Sequence, residues 1–140
     1  MVIDHIAIWT ENLERLKDFY SRFFNGIPGE KYVNKQNGFQ SYFITFITGS
    51  KLEIMMMPNI PNNLNNSTTQ YKGIIHLAFG LDSINAVDLK AKEFESNGFQ
   101  IINGPRVTGD GYYEFEIFDP DNNRVEISTK AVKKNRNNKY

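Results

Sequence analysis

Two segments of this chain carry the same short pattern, and a duplicated module constrains the fold more tightly than composition does. Asp4-His5-Ile6-Ala7-Ile8 matches Ile75-His76-Leu77-Ala78-Phe79 at an offset of 71 residues. Leu52-Glu53-Ile54 matches Val125-Glu126-Ile127 at an offset of 73. Self-similarity over such a span marks one supersecondary unit used twice. Residues 1–57 form the first module and 74–129 the second. The intervening PNIPNNLNNSTTQYKG (58–73) is rich in Asn and Pro and lacks apolar periodicity, so it reads as a linker or exposed loop.

Each module predicts a βαβββ order. Leu13, Leu16, Phe19, Tyr20, Phe23 and Phe24 recur at steps of three and four, which is one face of a helix, and Gly26 supplies its stop. In the second module Ser83 is the N-cap, Ile84, Val87, Ala91 and Phe94 form the buried stripe, and Gly98 ends it. QSYFITFI (40–47) runs through Thr48-Gly49-Ser50 into KLEIMMM, and YEFEIF (113–118) runs through Asp119-Pro120-Asp121-Asn122-Asn123 into RVEIS. These junctions are turn chemistry, so both pairs read as hairpins. A weaker strand is expected after each helix, near Glu30–Val33 and near Phe99–Ile102.

Strand alternation separates the chemistry from the core. His5 and Ala7 share one face of their strand, as His76 and Ala78 do, while bulkier neighbours face the other way. Glu53 lies between Leu52 and Ile54, and Glu126 between Val125 and Ile127, so each glutamate points away from its apolar neighbours. A carboxylate in such a setting is costly unless paired or metal-bound. The chain has only two histidines, and both occupy the same repeat position. If the modules pack about a pseudo-twofold axis, His5, Glu53, His76 and Glu126 meet in one cleft. With no cysteine in the chain, thiolate ligands and thiol nucleophiles are excluded. Imidazole and carboxylate suit Zn, Ni, Co, Mn or Fe(II).

Charge adds a partner argument. The chain carries 16 basic and 16 acidic side chains, which argues against broad electrostatic binding to nucleic acid or membrane. The balance is a cancellation. The last eleven residues (130–140) hold Lys130, Lys133, Lys134, Arg136 and Lys139, leaving 11 basic against 16 acidic side chains in residues 1–129. This basic tail is expected to be frayed. The N-terminus lacks a secretion-signal pattern and no apolar run approaches a membrane span, so a cytoplasmic protein is expected.

The H-x-A strand, the helix ending in F-Y-S-R-F-F, the hairpin into L-E-I, the second H-x-A and the ending F-D-P-D-N-N-R-V-E-I resemble the vicinal oxygen chelate superfamily over about residues 1–129. That group includes glyoxalase I, extradiol dioxygenases, fosfomycin-modifying enzymes and bleomycin-binding proteins. The resemblance implies an α+β fold of two paired βαβββ modules, a half-open eight-stranded barrel around a metal. It is closest to glyoxalase I-like members, whose ligand set matches His5, Glu53, His76 and Glu126. It implies one divalent metal per site, Ni or Zn first, with Co, Mn or Fe as alternatives. It implies a lactoylglutathione lyase-like isomerisation of a hemithioacetal or related carbonyl compound through an enediolate, with Glu126 as base and Glu53 its counterpart. A homodimer is likewise implied. Trp9 stands where glyoxalase I enzymes carry an arginine for the glutathione carboxylate, with Arg106 or Arg124 as substitutes for that role. Trp9, Phe43, Met55 and Tyr113 are the candidate substrate contacts. The alternative readings are an extradiol-type dioxygenase and a non-catalytic small-molecule or drug-binding protein.

Overall fold

Residues 1–131 are described by the structure, a computed structural model. They sort into two units. The first holds residues 1–64 with the short segment Asp119–Asp121, and the second holds residues 65–118 and 122–131. The division at residues 64 and 65 falls inside the Asn/Pro-rich stretch. The fold is α+β. Residues 132–140, most of the expected basic tail, lie outside the described residues, and Lys130 is the last residue of a strand. Among the described residues no helix is long and apolar enough to cross a membrane.

In the first unit β1 (His5–Trp9) leads into α1 (Leu13–Phe24), two short strands β2 (Ile27–Pro28) and β3 (Tyr32–Val33), and the hairpin β4 (Gln40–Thr45) and β5 (Lys51–Met56). The sheet order is β1-β5-β4-β2, with β3 also paired to β4. β1 runs parallel to β5, which requires a crossover, and α1 is its helix. Leu13, Leu16, Phe19, Tyr20 and Phe23 of α1 are buried, as are Ile44, Leu52 and Ile54 of the sheet. The segment after α1 pairs twice in two-residue strands rather than once. Pro28 has no N–H to extend the ladder, and the Gly29 N–H donates instead to the Phe43 carbonyl.

Helix α1 starts as its sequence dictates, with the Asn12 side chain accepting from the Arg15 N–H. Its end differs from expectation. The left-handed residue is Asn25 (φ 55°), not Gly26. Gly26 is required for a different reason, since a Cβ there would run into the Ile44 side chain.

The second unit repeats the plan with β6 (His76–Gly80), α2 (Ile84–Ser96), β7 (Asn103–Val107), β8 (Tyr112–Phe118) and β9 (Arg124–Lys130), in sheet order β6-β9-β8-β7. Ser83 caps α2 by accepting from the Ala86 N–H. Val87, Ala91 and Phe94 are buried against Phe115, Ile117, Val125 and Ile127, but Ile84 is 40% exposed and outside the stripe. The strand expected near 99–102 lies at 103–107. Phe99 packs edge-on to Phe94 and its N–H donates to the Phe94 carbonyl, so the start of this run closes the end of the helix, and pairing with β8 begins at Ile102, whose N–H donates to the Glu116 carbonyl. Gly104 sits where β7 shifts register against β8, with φ +82° and the Glu114 carbonyl where a Cβ would be.

Two polar clusters hold α1 in place. The Tyr20 hydroxyl, fully buried, donates to the Asp119 carboxylate at 2.9 Å. Burial first, and the Asp119 charge second, push the Tyr20 phenol well above its ordinary value, so it stays a donor. Arg15 and Thr10 reach Asp121 of the same segment. On the outer side Lys17, then Tyr42, then Lys31 hold the Glu14 carboxyl down to about 2.

Replacing Tyr20 with Phe removes one donor from the buried Asp119 carboxylate. A loss of about 1.5–3 kcal/mol in urea unfolding is expected. Because the folded Glu14 value lies below its ordinary 4.5, its contribution is present above pH 4.5 and lost as pH falls through about 2. Carbon-13 NMR titration should place the Glu14 midpoint near 2, and Lys17→Ala should raise it.

Candidate metal centre

In the first unit the parallel register sets His5 level with Lys51 and Ala7 level with Glu53. Alternation puts His5, Ala7, Trp9, Lys51, Glu53 and Met55 on the face away from α1, with Phe43 of β4 opposite Glu53. His5 Nε2 lies 3.5 Å from a Glu53 carboxylate oxygen. His5 Nδ1 meets Asp4 at 2.8 Å. An ionised carboxylate only accepts, so the Nδ1 N–H donates to Asp4, and in the neutral ring this leaves the Nε2 lone pair facing Glu53. In that form two acceptors stand 3.5 Å apart, an arrangement that a cation between them relieves.

Asp4 is itself held. Lys51 Nζ lies 2.9 Å from each of its oxygens. The His5 contact first, and Lys51 second, keep the Asp4 carboxyl below its usual range. A carboxylate behind an imidazole is how metal-binding histidines are oriented. The Phe43 ring stands edge-on to His5, with centroids 5.1 Å apart.

The second unit reproduces the pair. His76 is level with Arg124 and Ala78 with Glu126, and His76 Nε2 lies 3.5 Å from Glu126. The strand beside the pair differs. Glu116 stands opposite Glu126, where the first unit has Phe43 opposite Glu53. One donor atom from each of His76, Glu116 and Glu126 lies within 4.8 Å of the other two. Arg124 Nη1 and Asn103 Nδ2 both donate to Glu116 Oε2, at 3.0 and 3.1 Å. Arg124 is 7% exposed, and its Nε has no acceptor among the described residues. Glu114 lies farther along the same face with Arg106 at 3.5 Å. Burial first, then the Glu126 charge, raise the Glu114 carboxyl, and Arg106 opposes them.

The structure thus brings His5 to Glu53 and His76 to Glu126. Among the candidate substrate contacts, Phe43 touches the His5 ring, and Met55 is the register partner of Trp9, whose indole is edge-on to Phe39. Tyr113 is corrected. It shares the α2 side with buried Phe115 and Ile117, and its hydroxyl donates to Asp88 of α2. The strand's two-residue period therefore turns it away from His76. Arg106 and Arg124, the substitute cations for an acidic substrate group, are engaged by Glu114 and Glu116. Sequence reasoning missed Glu116 and Asp4. A signal for Glu116 was present, since it stands 73 residues after Phe43, the spacing that relates Glu126 to Glu53.

A family model described as the Glyoxalase/Bleomycin resistance protein/Dioxygenase superfamily matches residues 2–127. The chain belongs to this superfamily. No curated protein matches the sequence. Among solved structures, the chain is similar to a glyoxalase family protein from Enterococcus faecalis (23% identity, 91% of this chain and 96% of that one, TM-score 0.74). It is similar to the fosfomycin resistance protein FosX from Listeria monocytogenes, solved with Mn(II) and sulfate (18% identity, 94% and 93%, TM-score 0.67). It is also similar to the trypanothione-dependent glyoxalase I of Leishmania major (15% identity, 92% and 86%, TM-score 0.70). At these identities the structural likeness establishes the fold.

Each unit of this superfamily member offers an imidazole and a carboxylate at metal-bridging separation, and the donor set fits a divalent cation. Removing the carboxylate behind His5 tests the first pair. Asp4→Ala should weaken Co(II) binding by about tenfold in calorimetric titration, through loss of ring orientation.

Proposed function

We propose that this protein is a metal-dependent enzyme of glyoxalase type, isomerising a hemithioacetal or related carbonyl compound. One observation carries the reading. Both units present a histidine Nε2 3.5 Å from a strand glutamate, at equivalent register positions on the sheet face opposite the helix. His5, Glu53, His76 and Glu126 are the proposed ligands, and Ni or Zn the first metals to test. The metal, when bound, supplies Lewis-acid stabilisation of negative charge developing on substrate oxygen.

The chain's own residues do the rest. His5, donating its Nδ1 N–H to Asp4, keeps its Nε2 lone pair for ligation. Glu126 takes the proton from the carbon beside the substrate carbonyl and returns it to the adjacent carbon, as base and then acid. Glu53 is its counterpart in the first unit. Trp9, Phe43 and Met55 give the His5 face an apolar wall for the carbon skeleton of the substrate. The reading carries with it a small-molecule substrate, a homodimer and a cytoplasmic location, with no nucleic-acid or membrane partner.

The test is reconstitution with Ni(II), Zn(II), Co(II) or Mn(II), followed by hemithioacetals made from several thiols. Turnover with at least one adduct is expected. Glu126→Gln should lower kcat by about 10²–10⁴-fold while the protein still takes up metal. No turnover with any thiol adduct, or oxygen uptake with catechols instead, would overturn the glyoxalase-type reading.

A further inference from the structure

The two units are alike in their His–Glu pair and unlike in the strand beside it. In the first unit the position opposite the glutamate is Phe43, and in the second it is Glu116. The substitution of a carboxylate for an aromatic ring makes the second face acidic, because Glu114, Glu116 and Glu126 then share it. Arg106 lies against Glu114 and Arg124 against Glu116. Glu126 has no lysine or arginine within ion-pair distance among the described residues, and its one such neighbour is His76. The Glu116 and Glu126 side chains are only 12% and 14% exposed, so water screens their repulsion poorly.

Glu116 is also held in a particular way. Arg124 and Asn103 both donate to Oε2, and Oε1 takes no hydrogen bond among the described residues. Asn103 in turn accepts from Arg106 Nε. Two donors on one oxygen fix the carboxylate and leave the other oxygen's lone pairs free. The set then has one imidazole nitrogen and two carboxylates, with donor atoms all within 4.8 Å of one another.

We propose that Glu116 is a further metal ligand, so that His76, Glu116 and Glu126 form a three-donor site within the second unit alone, and that Arg124 and Asn103 are its positioning residues. This rests on the metal-dependent reading above and extends it. A set richer in carboxylate oxygen than two His–Glu pairs suits a hard cation, and Mn(II) is the expected occupant. Among the described residues the first unit, with Phe43 at the matching position, has no such third donor.

Mn(II) titration followed by electron paramagnetic resonance tests this on the full chain. His5→Ala/Glu53→Ala, which removes the first unit's pair, should still bind one Mn(II) per chain. Adding Glu116→Gln should weaken that binding by about tenfold or more, well beyond the effect of Glu114→Gln, which removes a charge from the same face but no ligand. Far-UV circular dichroism checks that each variant is folded. If Glu116→Gln is unfolded, Asn103→Ala serves instead, with about a tenfold loss expected. Binding unaffected by these changes at 116 or 103 overturns Glu116 as a ligand. A wild-type chain that takes up none of Mn(II), Co(II), Ni(II) or Zn(II) overturns the metal-dependent reading itself.

Discussion

The parallel pairing of the first strand of each unit with its last strand is the constraint from which the rest follows. Parallel neighbours keep level residues on the same face. With β1 against β5 and β6 against β9, the histidine that opens each unit therefore shares a face with the glutamate near that unit's end. The crossover helix can cover only one side of the sheet. The other side is left for polar groups that would be unaffordable in the core. Fold and donor set are thus one decision, since the strand order that buries Ile54 and Ile127 also turns Glu53 and Glu126 outward.

Duplication gives the units the same backbone plan but not the same chemistry. The first is apolar around its pair, with Phe43 edge-on to His5 and Met55 level with Trp9. Its reinforcement is behind the ring, where Lys51 holds Asp4 and Asp4 holds His5. The second has Ile75 at the position before its histidine and is reinforced beside the pair, by Glu116 with Arg124 and Asn103. In one unit a carboxylate orients the imidazole, and in the other a carboxylate joins it. This difference underlies the separate effects expected for changes at Asp4 and at Glu116.

Much of this was legible in the sequence because the signals are periodic. The helices were readable from Leu13 to Phe24 and from Ser83 to Gly98, because a three-to-four step of large side chains has few other uses. His5, Glu53, His76 and Glu126 were readable because each interrupts an apolar alternation at a repeated position. The failures were of another kind. Phe99 has strand composition but closes the end of α2, so the strand starts later than its apolar run, and Gly26 is needed for a close approach rather than a left-handed turn. Tyr113 has the right residue type for a substrate contact but falls on the wrong half of its strand's two-residue period.

By itself, the sequence determined the duplicated module, its two amphipathic helices and the four outward-pointing donors, because periodicity and repetition are local and survive without knowledge of partners. Only the tertiary structure decided which donors come within bonding reach of one another. The register that sets Glu116 opposite Glu126 and the Arg124 that neutralises it are choices of cross-strand neighbour, and so is Lys51, level with His5 on the paired strand, which holds Asp4 against the imidazole. A hydrogen bond or a ligand distance depends on a few ångströms between side chains on neighbouring strands, and nothing in the local order of residues measures that gap.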